Sequence, residues 1–570
     1  MNEKIAKAQQ AFQKKKFKQA LSIIEKVNKS KSKQSFLSLQ LQAASLVSLK
    51  MNVRAKEFFL KALPLAPDGE KKARTYFDLF ASSMLLKQYT QSRQYLEKAI
   101  SLVPPDKSVM WRLSLANLYY QIREYELCEE LCARLLVYKP CTLKCMHILM
   151  DIAIAQTNTE KVNFYLRQFE GRMYELSSQE ILGVYARVEA FTTLDFSRSI
   201  DKAIARGADP CTVKVIQGSK LFKEGKDDKS FALLTSFSPE QLKDENPKKR
   251  YFEILGKIYD RRKEYRKAFE NFTQMNAIAA KQYKLKGGKS EELYEYGKFS
   301  SFKLSSEPYT PPVRMFFLVG FPRSGTTLLE NVLDSQEKII ALPERPMLDD
   351  IKMKMIFDGY NYPKDLHDIS DGYLNDLRSR YFSSVMKNCR YESLNQFDVL
   401  IDKNPLNQIR LPLIKKLFPD AKIILALRHP LDCILSCYMQ HFDVNQHMAD
   451  FSDWKSSFER YKDTFDLYDG FREYLEWDEY QIRYEDLVND FESQVESVLK
   501  FIGIDAEKDS YMNFNRRAQS GVITTPSGSQ VRQGIYKTAT QRWLNYKEYI
   551  APHIDIVRPY IEKYGYTCDI

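Results

Sequence analysis

No stretch of about eighteen uncharged apolar residues occurs anywhere in the 570 residues, so no membrane-spanning helix is expected. The opening MNEKIAKAQQ has no apolar run behind its charges and does not read as a secretory leader. The nine cysteines include no CxxC pair, and their odd count suggests no disulfide framework. Reduced thiols and a cytoplasmic setting are expected instead. Cys128/Cys132 and Cys433/Cys437 stand four apart, a spacing that suits packing on a helix face. Histidines number only six, and His441 and His447 lie six apart, which suits neither a helix face nor a finger site, so no metal is expected. Disorder and collagen are excluded by what is present: 44% hydrophobic and 28% charged residues, enough apolar material for about two to four domains.

Charge is unevenly shared. Residues 1–300 hold 53 Lys and Arg against 34 Asp and Glu, a net +19, whereas residues 301–570 hold 33 against 40, a net −7. A boundary near 300 follows, with a first half that is either a solvated basic face or a surface for acidic partners. The acidic stretch 473–490 reads as a solvated face.

The first half repeats. An aromatic or short polar residue stands three before a small or medium one at Phe17/Ala20, Asn52/Ala55, Tyr89/Ser92 and Tyr125/Cys128. Fainter copies follow at Thr159/Val162, Phe196/Ser199, Asp227/Ser230 and Tyr265/Ala268. Successive copies lie 35, 37, 36, 34, 37, 31 and 38 residues apart. Pro67, Pro104 and Pro140 each fall twelve residues after a small anchor, where proline is expected to stop the second helix of a pair. Trp111/Leu115-Ala116/Tyr119 and Leu255-Gly256/Tyr259 precede two of the anchors. On these residues the half resembles a tetratricopeptide solenoid over 1–285, in which small anchors let helices approach closely. The resemblance implies a surface for a protein or peptide partner, or for homo-oligomers. Residues 286–312, with Gly287-Gly288 and Pro311-Pro312, read as a linker.

In 313–570 the pattern changes. The apolar run MFFLV (315–319) reads as a buried strand, followed by Gly320-Phe321-Pro322-Arg323-Ser324-Gly325-Thr326-Thr327 and a helical LLENVLDS. Strand, glycine loop and helix are the context a phosphate cradle of backbone N–H groups at a helix N-terminus needs, with a tight strand–helix turn as the plainer alternative. A GxxxxGK[ST] loop would place lysine where Thr326 stands; the cation here is Arg323, inside the loop. That exchange points away from phosphoryl transfer and toward a less charged sulfuryl group.

GFPRSGTTLLENVL resembles the 5′-phosphosulfate loop of sulfotransferases that use 3′-phosphoadenosine 5′-phosphosulfate. IILALRHPLDCILSCYMQHF (423–442), DKNPLN (402–407), QIRYEDLV (481–488) and TPSGSQVRQGIYKTATQRWLNY (525–546) are similar to further elements of that family, in its order. The arrangement as a whole resembles bacterial tetratricopeptide-repeat sulfotransferases, and the second half is also similar to protein-tyrosine sulfotransferases. The fold implied is an all-α solenoid followed by a P-loop-like α/β domain with a mainly parallel sheet. The donor implied is 3′-phosphoadenosine 5′-phosphosulfate, without metal.

The resemblance also implies roles. Ser324, Gly325, Thr326 and Thr327 would hold the 5′-phosphosulfate, Arg428 and Ser436 the 3′-phosphate, and Tyr484 would lie near the adenine. Arg323, Lys403 and Ser527 would stabilise the transferring group or leaving phosphate. Gln530, Arg532 and Arg542 would come from a covering loop, and Glu344, in IIALPERPML, would be the general base. A surface carboxylate at Glu344 and a solvent-facing lysine at Lys403 are the plainer alternatives. Gln440 departs from the tyrosine-specific enzymes, which carry arginine there, so the 3′-phosphate must be held more weakly or completed elsewhere. The acceptor stays open among tyrosine in a peptide, a carbohydrate and a small alcohol or phenol. An inactive domain on a repeat scaffold and a P-loop phosphotransferase are the competing functions; no nucleic-acid partner is expected.

Overall fold

The computed structural model describes residues 2–30, 32, 34–86, 88–156, 158–188, 197–286, 291–305, 307–389, 391–442, 448–514 and 540–568. These fall into two compact units: Met1–Ala155 with Asp349–Tyr362, and Gln156–Leu348 with Pro363–Ile570.

The first unit is helical. Helices Phe17–Asn28, Asn52–Ala62, Tyr89–Ser101 and Tyr125–Leu135 each begin on the aromatic or polar residue of a repeat anchor. The small residues three further on, Ala20, Ala55, Ser92 and Cys128, are all fully buried. One turn into a helix, these positions face the preceding helix, and a larger side chain would hold the two apart. Pro67 and Pro104 follow helix ends as expected. Pro140 does so too, past the end of helix Tyr125–Leu135, and it is also the second residue of the next helix, Lys139–Ala155, in the first turn, where a missing N–H leaves no bond unmade. Asp349–Tyr362, expected within the second half's domain, groups with this unit, where Asp350 accepts from Arg123 Nη1 at 3.3 Å and Arg93 lies 5.7 Å from the Phe357 ring.

The second unit repeats the helical rule and then departs from it. Helices starting at Thr159, Ser197, Asp227 and Tyr265 bury Val162, Ser199, Ser230 and Ala268. Helices Glu245–Arg261 and Tyr265–Lys286 approach so closely at Gly256 that a Cβ there would lie 2.7 Å from the buried Phe272 ring. The expected linker holds the short helix Glu291–Tyr296, whose buried Glu292 accepts from Arg410 Nε at 2.9 Å and Nη2 at 3.1 Å.

Beyond it, five strands form one sheet: β1 (Arg314–Gly320), β2 (Ile339–Leu342), β3 (Val399–Lys403), β4 (Lys422–Leu427) and β5 (Glu479–Arg483). Their order is β2-β3-β1-β4-β5, and every pairing is parallel. Parallel strands covered on both faces read as unbroken apolar runs, and MFFLV and IILAL are such runs. The chain leaves β1 to one side for β2 and β3, then crosses to the other for β4 and β5. That reversal opens a crevice at the strand C-termini beside β1.

The repeat helix Tyr265–Lys286 packs on this region. Phe269 stacks on Tyr549 at 3.8 Å and on Tyr438 at 5.6 Å, and the buried Asn276 amide donates to the Tyr438 carbonyl at 2.8 Å.

Candidate active site

Each strand delivers a candidate residue at its C-terminal end. The loop Gly320–Thr327 leaves β1, Glu344 stands two residues past β2, Lys403 ends β3, Arg428 follows β4, and Tyr484 follows β5. The parallel sheet thus collects five distant sequence positions on one edge.

The loop is held in an unusual conformation. Arg323 has φ 74, a left-handed value that costs a non-glycine residue on the order of 1 kcal/mol or more. Its carbonyl accepts from Arg428 Nη1 at 2.9 Å, and its own Nε donates to Ser436 Oγ at 3.0 Å. Gly325 has φ 91, and a Cβ there would lie 2.5 Å from the Tyr484 ring, so the turn tolerates only glycine. The helix Thr326–Asp334 starts there, with Thr326 and Thr327 buried in its first turn. Its leading N–H groups lack intrahelical acceptors by construction. Ser324 Oγ is buried and has no hydrogen-bond partner among the described residues. A buried hydroxyl at the N-terminus of this helix suits an oxyanion, so the loop fits the phosphosulfate expected of it.

Around Lys403 the chemistry is acid–base. Its side chain is 0% exposed, and its ammonium meets Glu330 Oε2 at 2.8 Å and Glu344 Oε1 at 3.0 Å. The solvent-facing alternative for Lys403 is therefore wrong, because a charge this buried needs its two carboxylates. Burial opposes the ammonium, but the two carboxylates outweigh it and raise its pKa. Burial pushes the Glu330 carboxyl up to about 7, with Lys403 pulling it down and Glu344 adding to the rise. Sequence reasoning overlooked Glu330; a carboxylate inside the apolar LLENVL was the signal available. Glu344 is the exposed member, 38% accessible in its side chain.

Arg428 and Ser436 converge through Arg323. Burial acts against the Arg428 charge, while Asp432, Tyr484 and Glu485 outweigh it and raise its pKa. Arg323 is lowered, first by burial and then by Arg428. The Arg428 guanidinium lies 5.2 Å from the Tyr484 ring. Arg542, near the end of the expected covering loop, pairs with Asp260 of the repeat helix Glu245–Arg261, while the neighbouring Gln541 and Trp543 amides donate to Asp432 at 2.8 and 2.9 Å. Ser527, Gln530 and Arg532 lie outside the described residues. The acidic stretch 473–490 is only partly a solvated face. Glu485 accepts from the His429 amide at 3.0 Å and from Tyr566 Oη at 2.9 Å, and Glu479 from Trp477 Nε1 at 3.0 Å, because the last strand turns these carboxylates inward.

Residues 315–508 match the model described as the sulfotransferase family. An uncharacterized protein of Aquifex aeolicus (strain VF5) is 26% identical over 341 residues, which span 55% of this chain and 42% of that one. The chain thus spans under half the length of that relative. The sulfotransferase domain of the Synechococcus PCC 7002 olefin synthase is 21% identical, covering 47% of this chain and 100% of that domain at a TM-score of 0.30. Sulfotransferase STF9 from Mycobacterium avium is 15% identical, covering 51% of this chain and 96% of its own at a TM-score of 0.28. The match across 315–508 covers the region that builds the parallel sheet, and over that span the chain is similar to the sulfotransferase family.

Proposed function

We propose that the protein transfers a sulfuryl group from 3′-phosphoadenosine 5′-phosphosulfate to an acceptor hydroxyl. The observation that carries this reading is the Lys403–Glu344 contact of 3.0 Å, joined through Glu330 to the helix that follows the Arg323 loop. Glu344 takes the proton of the acceptor hydroxyl as its oxygen attacks sulfur. The bond between sulfur and the bridging phosphate oxygen breaks, and adenosine 3′,5′-bisphosphate leaves with the electron pair. Arg323 and Lys403 offset the charge that grows on the sulfuryl and bridging oxygens. Ser324, Gly325, Thr326 and Thr327 hold the phosphosulfate, and Arg428 with Ser436 holds the 3′-phosphate. Tyr484 lies against the adenine, Ser527 acts on the leaving phosphate, and Gln530, Arg532 and Arg542 bind the nucleotide. In the same reading no metal takes part and the chain acts in the cytoplasm. Among the described residues no helix is long and apolar enough to cross a membrane.

The test is thermal protection and transfer together. Adenosine 3′,5′-bisphosphate should raise the melting temperature, and labelled sulfate should pass from the donor to an acceptor. Protection by ATP·Mg²⁺ alone would replace this reading with a phosphotransferase. A tyrosine in a peptide is the acceptor class the charge favours, with the +19 of residues 1–300 recruiting acidic flanks. Equal transfer rates onto tyrosine peptides with and without flanking acids would remove that argument and leave carbohydrates and small alcohols.

A further inference from the structure

We infer that Lys257, on a repeat helix outside the sulfotransferase match, completes the pocket for the donor's 3′-phosphate; the inference rests on the donor assignment above.

Lys257 belongs to helix Glu245–Arg261 and reaches the segment just past the helix Pro430–Tyr438 that follows β4. Its Nζ lies 3.4 Å from Gln440 Oε1, to which it donates. Gln440 stands two residues past the end of the helix Pro430–Tyr438, where its amide donates to the Cys437 carbonyl at 3.1 Å, and the neighbouring Ser436 Oγ accepts from Arg323 Nε. The ammonium therefore meets the C-terminal end of the helix whose Ser436 hydroxyl is assigned to the 3′-phosphate.

The local charge balance favours a dianion. Lys257 is near enough to Arg323 for the two charges to repel, and Arg323 in turn to Arg428, whose Nη1 donates to the Arg323 carbonyl. The carboxylates that act on them are Glu253, 2.6 Å from Lys257, Glu344 on Arg323, and Asp432 and Glu485 on Arg428, of which Asp432 already accepts two amides and Glu485 the His429 amide. Burial resists the Lys257 charge, Glu253 supports it, and Arg250 and Arg323 repel it, with a net lowering of its pKa. A phosphate relieves that repulsion, because it brings two negative charges to three crowded cations. Glu253 aims the lysine. It is 4% exposed, sits on the same helix face one turn before Lys257, and is itself gripped by Arg250 at 2.6 Å and His441 at 3.6 Å. Lys257 remains 26% exposed, so its head can leave Gln440 for an incoming oxygen. The repeat region thereby contributes a ligand to the nucleotide as well as a surface for partners.

The experiment measures binding of adenosine 3′,5′-bisphosphate and of adenosine 5′-monophosphate, which lacks the 3′-phosphate, to the full chain. Lys257→Gln should weaken the bisphosphate about tenfold to a hundredfold and leave the monophosphate unchanged, which also shows that the variant is folded. Lys257→Arg should stay near wild type. Gln440→Arg should restore the bisphosphate in the Lys257→Gln background, since a guanidinium there reaches the same space. If Lys257→Gln does not fold, Gln440→Glu tests the same contact by capturing the ammonium, and must weaken only the bisphosphate. Equal losses on both nucleotides, or no loss, overturn the inference. A wild-type chain that does not prefer the bisphosphate overturns the donor assignment, and this inference with it.

Discussion

Arg323 Nε donates to Ser436 Oγ across 3.0 Å, tying the loop after β1 to the helix after β4. The two residues are 113 apart in sequence, and their contact spans the point where the sheet's connections reverse. It brings the cation expected to act on the sulfuryl group within reach of the hydroxyl expected to hold the other end of the donor.

Arg323→Gly should separate conformation from chemistry. Glycine accepts φ 74 without penalty, so unfolding should show a stability equal to or above wild type. Transfer should fall by roughly 10²–10³, the loss typical of one group that stabilises developing charge. A variant that keeps its transfer rate would free Arg323 of any catalytic role.

Glu344→Gln should lower kcat on the order of 10²–10⁴ and leave donor affinity within a few-fold, as loss of a general base does. Rate and bisphosphate binding, measured on the same preparation, decide it. A fall in binding equal to the fall in rate would reduce Glu344 to a partner of Lys403.

Gly325→Ala should abolish nucleotide binding while the rest of the chain folds. The new methyl group would meet the Tyr484 ring at 2.5 Å, at a φ of 91 that alanine resists. Calorimetry with adenosine 3′,5′-bisphosphate should find at least a tenfold loss, about 1.4 kcal/mol. Tyr484→Ala in the same background should recover part of it by clearing the space.

Glu330 predicts a pH dependence of stability. Its carboxyl rises from an ordinary 4.5 to about 7 in the folded chain. Between those values the folded state holds a proton that the unfolded state has released. The stability this group contributes is therefore present below about pH 4.5 and is lost as pH climbs through 7. The slope should approach roughly 1 kcal/mol per pH unit relative to Glu330→Gln, which carries no proton to lose. Denaturant midpoints at pH 5, 6 and 7 that run parallel in the two proteins would rule the shift out.

The sequence by itself determined the local elements and their chemistry. Eight small residues at a period near 34 named the buried contacts of eight helices, because a helix start and its tightest packing position are set within one turn. The loop from Gly320 to Thr327 was equally legible, since strand, glycine turn and helix follow directly in the chain. So were the candidates at the ends of β2 to β5, which the family resemblance supplied in order.

The tertiary structure decided which of these meet and what surrounds them. Nothing local says that Lys403 is fully enclosed between Glu330 and Glu344, which lie 73 and 59 residues before it. Nothing local says that Asp349–Tyr362 packs with the first helical unit, or that Lys257 reaches Gln440 across 183 residues. Burial, and with it the raised carboxyl of Glu330, depends on every neighbour in space. Periodicity reports only which face of an element is apolar, while the partner that covers that face is chosen by the whole chain.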